Sequence, residues 1–168
     1  MLSSKLESAL NAQINAELWS AYLYLSMSLH AAHTGMPGLS HWMSVQSCEE
    51  LHHARLLQRY MLSQDVPVTL RPIASVPTEW DDAPEMLRET LMHEREVTEM
   101  ISDLMNMAMD ERDFATMGRL RWFVDEQVEE EEQARDLLAS LELVDDDSYG
   151  RYELDQQLLH RKSPSYDD

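Results

Sequence analysis

Apolar positions recur every three or four residues through four long stretches, and the alternation expected of strands is absent. The first stretch runs from a cap at Ser3 or Ser4 to about His33 and aligns Leu6, Leu10, Ile14, Ala21, Tyr24, Leu25 and Ser28. Thr34-Gly35-Met36-Pro37-Gly38 then turns the chain. The second stretch, from about Leu39 to Ser63, aligns Met43, Gln46, Glu50, His53, Ala54, Leu57 and Met61. The third starts near Asp81 or Asp82, carries Pro84 in its first turn and reaches about Met109. It aligns Leu87, Leu91, Glu94, Thr98, Ile101, Met105 and Ala108. After a short polar turn the fourth, about Phe114 to Leu143, aligns Met117, Leu120, Phe123, Val124, Gln127, Glu130, Ala134, Leu137 and Leu141. A run of aspartates breaks it. A short fifth helix, about Tyr149 to Arg161, is expected to cap one end, with residues 163–168 as a loose tail.

Between the second and third stretches the pattern stops. Residues 64–82 hold Pro67, Pro72 and Pro77, with Val66, Val68, Leu70, Ile73 and Val76 between them. That is too proline-rich for a helix and too apolar for a solvated linker. Roughly 19 extended residues reach about 60 Å, whereas a 25-residue helix is about 38 Å long. The segment can therefore travel the whole length of a bundle, which makes the two helices that it joins parallel. The expected fold is all-α: one domain over residues 1–168, a four-helix bundle with a long crossover between helices two and three and a short fifth helix.

Each apolar face is interrupted near its middle. The estimated midpoints lie at about residues 18, 51, 96 and 128, and the interrupting residues are Glu17, Glu50 with His53, Glu94, and Gln127 with Glu130. Helices packed at equal height bring these six side chains to one level. Glu50 and His53, three apart, project from one helix face. Four buried carboxylates repel one another and lose hydration. No lysine or arginine falls on these inner faces to neutralise them, so either cations do so or most of the carboxylates are protonated. Carboxylates with one imidazole suit iron or manganese. Two metals with a bridging carboxylate make best use of this many oxygen ligands. Glu50 is placed to bridge, with Glu17 and His53 on one ion, and Glu94, Gln127 and Glu130 on the other. An amide or flexible carboxylate in the last helix ligates weakly, so the metal is expected to be able to leave.

Composition narrows the options. A net charge of −19 argues against nucleic acid or an anionic membrane as partner, and fits cation attraction or solubility alike. No apolar run approaches the roughly 18 residues of a membrane span, and the N-terminus lacks a secretory pattern, so a reduced cytoplasmic setting is expected. The single cysteine, Cys48, cannot pair within the chain and is expected to be a small buried or half-buried side chain.

With these motifs the chain resembles the non-haem bacterial ferritins. The likeness rests on Asn15-Ala16-Glu17-Leu18, Tyr24-Leu25, Glu49-Glu50-Leu51-His52-His53-Ala54, Glu94 and Trp122 through Glu131. It implies a ferritin-like fold and an iron-storage ferroxidase. Fe(II) is oxidised by dioxygen or peroxide at a di-iron centre and kept as ferric oxyhydroxide mineral inside a hollow homo-oligomer, a 24-mer whose four-fold contacts the fifth helix lines. It implies a third iron site built from Glu49, Glu126 and Glu129 with Glu130 shared, and it matches Tyr24 to a tyrosine that can donate an electron; a core aromatic is the other reading of Tyr24. Gln127-x-x-Glu130 and Leu51 stand where a bacterioferritin has a second Glu-x-x-His and a haem-binding methionine, so no haem is expected. A di-iron oxidase or oxygenase acting on an organic substrate is the alternative within this fold; a metal-free interaction protein is a third. His30, His33, His41, His93 and His160 carry no assigned role.

Overall fold

The computed structural model describes residues 2–144 and 146–162. The expected tail, residues 163–168, lies outside them. Among the described residues five helices form: α1 (Ser4–His33), α2 (Pro37–Ser63), α3 (Ala83–Asp110), α4 (Phe114–Leu143) and α5 (Ser148–Leu158). Ser3, Asp82 and Asp113 cap α1, α3 and α4, each accepting from the amide three residues on. The first three helices each end on a residue in the left-handed region: Gly35, Asp65 and Arg112. The next amides, of Met36, Val66 and Asp113, fold back onto the carbonyls of Ala31, Met61 and Ala108. These tight stops set α1 against α2 and α3 against α4 as antiparallel pairs.

Residues 64–82 form a strap along α1. The Thr69 amide donates to Asn11 Oδ1 at 2.7 Å, and Ser26 Oγ donates to the Pro77 carbonyl at 2.7 Å. These anchor points lie about 22 Å apart along α1. The strap thus rises beside α1 and delivers α3 in the same direction as α2. Val66 and Trp80 bury its two ends.

The apolar core divides into two clusters. One gathers Leu6, Leu10, Ile14, Leu57, Met61, Ile101, Leu120 and Phe123. The other gathers Tyr24, Met27, Leu39, Met43, Met86, Leu87, Leu137 and Leu141. The first cluster takes the start of α1 and α4 but the end of α2 and α3, which is the signature of parallel α2 and α3. The polar mid-helix residues occupy the level between the clusters.

Four details differ from the sequence reading. Leu25 and Val124 are 42% and 38% exposed, because each stands one residue, about 100° of helix rotation, beyond its buried neighbour Tyr24 or Phe123. Cys48 is exposed, on the outer stripe of α2 with Ser44, Leu51 and Arg55. Pro37 and Gly38 belong to α2 rather than to the turn before it. The fifth helix stops at Leu158, and His160 and Arg161 turn back toward the bundle.

That return depends on how α5 docks. Met36 makes no side-chain cap for α2. Instead the Asp155 carboxylate, from α5, accepts from the Gly38 and Leu39 amides, both at 2.9 Å. An anion at a helix N-terminus satisfies free donors and meets the positive end of the helix dipole. A Cβ on Gly38 would lie 1.7 Å from the Asp155 carbonyl oxygen, so glycine is required there. No described helix is long and apolar enough to cross a membrane.

Candidate metal centre

Glu17, Glu50, His53, Glu94, Gln127 and Glu130 are all at most 3% exposed, and four helices supply them. His53 Nδ1 lies 3.5 Å from Glu50 Oε2 and 4.0 Å from Glu17 Oε2. One oxygen each from Glu17 and Glu50 and one nitrogen of His53 lie within 4.8 Å of one another, a spacing that one ion can bridge. A second such trio joins His53, Glu126 and Glu130. Among the described residues, Glu17 Oε2 and His53 Nε2 are buried and find no hydrogen-bond partner. Buried polar atoms without partners are costly, and here they face groups that share their need for a cation.

Three of the four carboxylates, those of Glu17, Glu94 and Glu130, are held from behind. Gln13, one turn before Glu17, donates to Glu17 Oε1 at 2.8 Å. Gln46, one turn before Glu50, donates to Glu130 Oε2 at 2.7 Å. Tyr24 OH donates to Glu94 Oε1. Gln127 Nε2 donates to Glu94 Oε2 and to the Glu94 carbonyl, each at 3.2 Å. Gln127 therefore acts here as a donor that fixes Glu94.

Burial, reinforced by like charge, dominates the electrostatics. Burial first, then the Glu50 charge, pushes Glu17 well above the usual carboxylate range. Burial and the charges of Glu94 and Glu130 do the same to Glu50. Glu94 rises to about 8, through burial and Glu130, against the hydrogen bonds from Tyr24 and Gln127. Burial also raises the Tyr24 phenol, aided by the Glu94 and Glu50 charges, so it remains a hydroxyl near neutrality. His93, behind Tyr24 with ring centroids 6.0 Å apart, is pushed down to about 4 by burial.

The expected third-site residues divide. Glu49 is buried and Glu126 half-buried at the edge of the cluster, while Glu129 is exposed. Glu126 Oε1 lies 4.0 Å from His53 Nε2. Glu49, raised to about 7 by burial, is partly compensated by a cation. That cation is Arg161, whose Nη2 lies 2.7 Å from Glu49 Oε2. Arg161 does not stand on an inner helix face; it arrives at Glu49, at the edge of the cluster, from beyond α5. Gln46 stood on the inner face read from the sequence; Gln13 was missed, and its signal was an amide one turn before a buried glutamate. Arg161 carried no such signal, since its position depends on a contact across the bundle.

The sequence from residue 7 to residue 144 matches the family model described as a ferritin-like domain. A bacterial non-heme ferritin of Bacteroides fragilis is 38% identical over 161 residues, 96% of this chain and 100% of that protein. A probable bacterial non-heme ferritin-like protein of Haemophilus influenzae is 31% identical over 158 residues, 94% of this chain and 96% of that one. Among solved structures, an open pore ferritin from the hyperthermophilic archaeon Archaeoglobus fulgidus superposes with a TM-score of 0.95 at 42% identity, over 96% of this chain and 100% of that one. A closed form of the Archaeoglobus fulgidus ferritin, engineered by site-directed mutagenesis, gives 0.96 at 41%, over 98% and 100%. The chain belongs to the ferritin family.

Proposed function

We propose that this protein oxidises Fe(II) and stores the product as ferric oxyhydroxide inside a hollow cage of identical subunits, a 24-mer in the family pattern. The observation that supports this most is the convergence of buried Glu17, Glu50 and His53, with Glu17 Oε2 lacking a hydrogen-bond partner among the described residues and both carboxyls raised by burial. In this reading Glu17 and His53 receive one ferrous ion, Glu94, Gln127 and Glu130 the other, and Glu50 spans both. The two ions are substrate, so their hold must be firm enough to position them and weak enough to release them. Gln127 serves that purpose, because a neutral amide ligates more weakly than a carboxylate. Two ferrous ions each give up one electron and together reduce dioxygen to peroxide; peroxide can itself be the oxidant. Tyr24, donating to Glu94, stands where a further electron can be supplied. Glu126 and Glu129, with Glu130, form the edge by which a further ion approaches, and Glu49 at that edge is held by Arg161.

The test is Glu50→Ala, assayed by stopped-flow ferrous oxidation and by particle size. The expected outcome is loss of the rapid oxidation phase with the assembly intact. Wild-type rates in that variant would overturn the assignment.

A further inference from the structure

Arg161 is tied into the wall of the centre on several sides. Its Nη2 donates to Glu49 Oε2 at 2.7 Å, to Gln133 Oε1 at 3.1 Å and to Gln46 Oε1. Its Nη1 donates to the Trp42 carbonyl at 3.3 Å, and the guanidinium carbon lies 4.4 Å from the centre of the Trp42 ring. His41 Nε2 lies 2.8 Å from the Arg161 carbonyl and pins the backbone as well. A planar, permanently charged fork with this many partners is pre-organised rather than a loose surface contact.

The partners link it to the metal centre. Gln46 accepts from Arg161 and donates onward to Glu130. Glu130 belongs to the trio with His53 and Glu126. Arg161 thus neutralises Glu49 directly and steers Glu130 through one amide. Its charge stands at the edge where Glu49 would serve a third ion. The guanidinium offsets the charge of Glu49 and sets a positive group beside it, so a divalent cation arriving there meets a weakened ligand and a like charge.

We infer that Arg161 is an internal cation that limits how many metal ions the centre holds, by taking Glu49 in place of a third ion. The inference rests on the proposed function, since it concerns the third position of that centre. Arg161 is a positioning residue, set in place by the Asp155 contact with α2.

The test titrates the assembled, metal-free full-length protein with Zn(II), which is redox-inert, and reads ions bound per chain and their affinities by calorimetry. The wild-type chain is expected to hold two ions tightly. Arg161→Gln should hold a third, or bind its weakest ion at least tenfold more tightly, and Glu49→Gln added to it should remove the gain. Arg161→Met, which keeps the side chain packed over the Trp42 ring, should give the same gain should the glutamine variant prove poorly folded. Unchanged stoichiometry and affinity in both variants would overturn the inference while leaving the paired site standing. Three tight ions in the wild type would also overturn it. No bound ion in any variant would sink the metal centre and this inference together.

Discussion

The Tyr24 hydroxyl donates to Glu94 Oε1 across the packing of α1 on α3, within a site where both groups are at most 1% exposed. The contact orients Glu94 and keeps the phenol beside the position proposed for one iron. Tyr24→Phe removes the hydroxyl and little volume. Zn(II) stoichiometry should stay at the wild-type value, while ferrous oxidation slows several-fold. Lost binding in calorimetry would show instead that the hydroxyl is needed to build the site.

The buried glutamates make stability depend on pH. Glu94 has its pKa raised from 4.5 to about 8, and Glu17 and Glu50 move in the same direction. A carboxyl raised in the folded state contributes stability that is complete below its unfolded value and is lost as pH rises through the folded one. The metal-free protein should therefore melt several degrees lower at pH 8.5 than at pH 6. Divalent metal should restore more at the higher pH, with proton release on binding at the lower. A flat or rising melting temperature across that window would contradict the burial-driven shifts. Glu94→Gln should flatten the slope.

Docking of α5 depends on Gly38 and Asp155. Asp155→Ala removes two charge-assisted hydrogen bonds to buried amides, at a cost of roughly 2–4 kcal/mol. Gly38→Ala places a methyl group where the Asp155 backbone lies, so it should undock α5 more completely. Tryptic cleavage after Arg151 or Arg161 should accelerate at least tenfold in either variant. Cleavage at the wild-type rate would mean that α5 is held by other contacts.

Much of this arrangement was legible in the sequence, and the reasons are local. Helical periodicity exposed the four faces, and glutamates interrupting apolar stripes marked the centre. Pro67, Pro72 and Pro77 marked the strap, since each forbids the helical hydrogen bond that the flanking stretches make. Errors came at the margins of stripes. Leu25 and Val124 are apolar yet turned outward, with surface on a single chain that hydrophobicity alone does not foretell. Arg161 was missed for a different reason. Its role is fixed by Asp155 capping α2, a contact between residues far apart in sequence, which no periodicity encodes.

In the proposed function the buried carboxylate cluster feeds a mineral store. The most direct measurement gives metal-free protein excess ferrous ion in air and follows iron and protein together through size exclusion. Iron far above two per chain should elute with a very large particle. About two irons per chain on a small particle would contradict it, and would make the chain a di-iron oxidase of the kind a four-helix carboxylate bundle also supports.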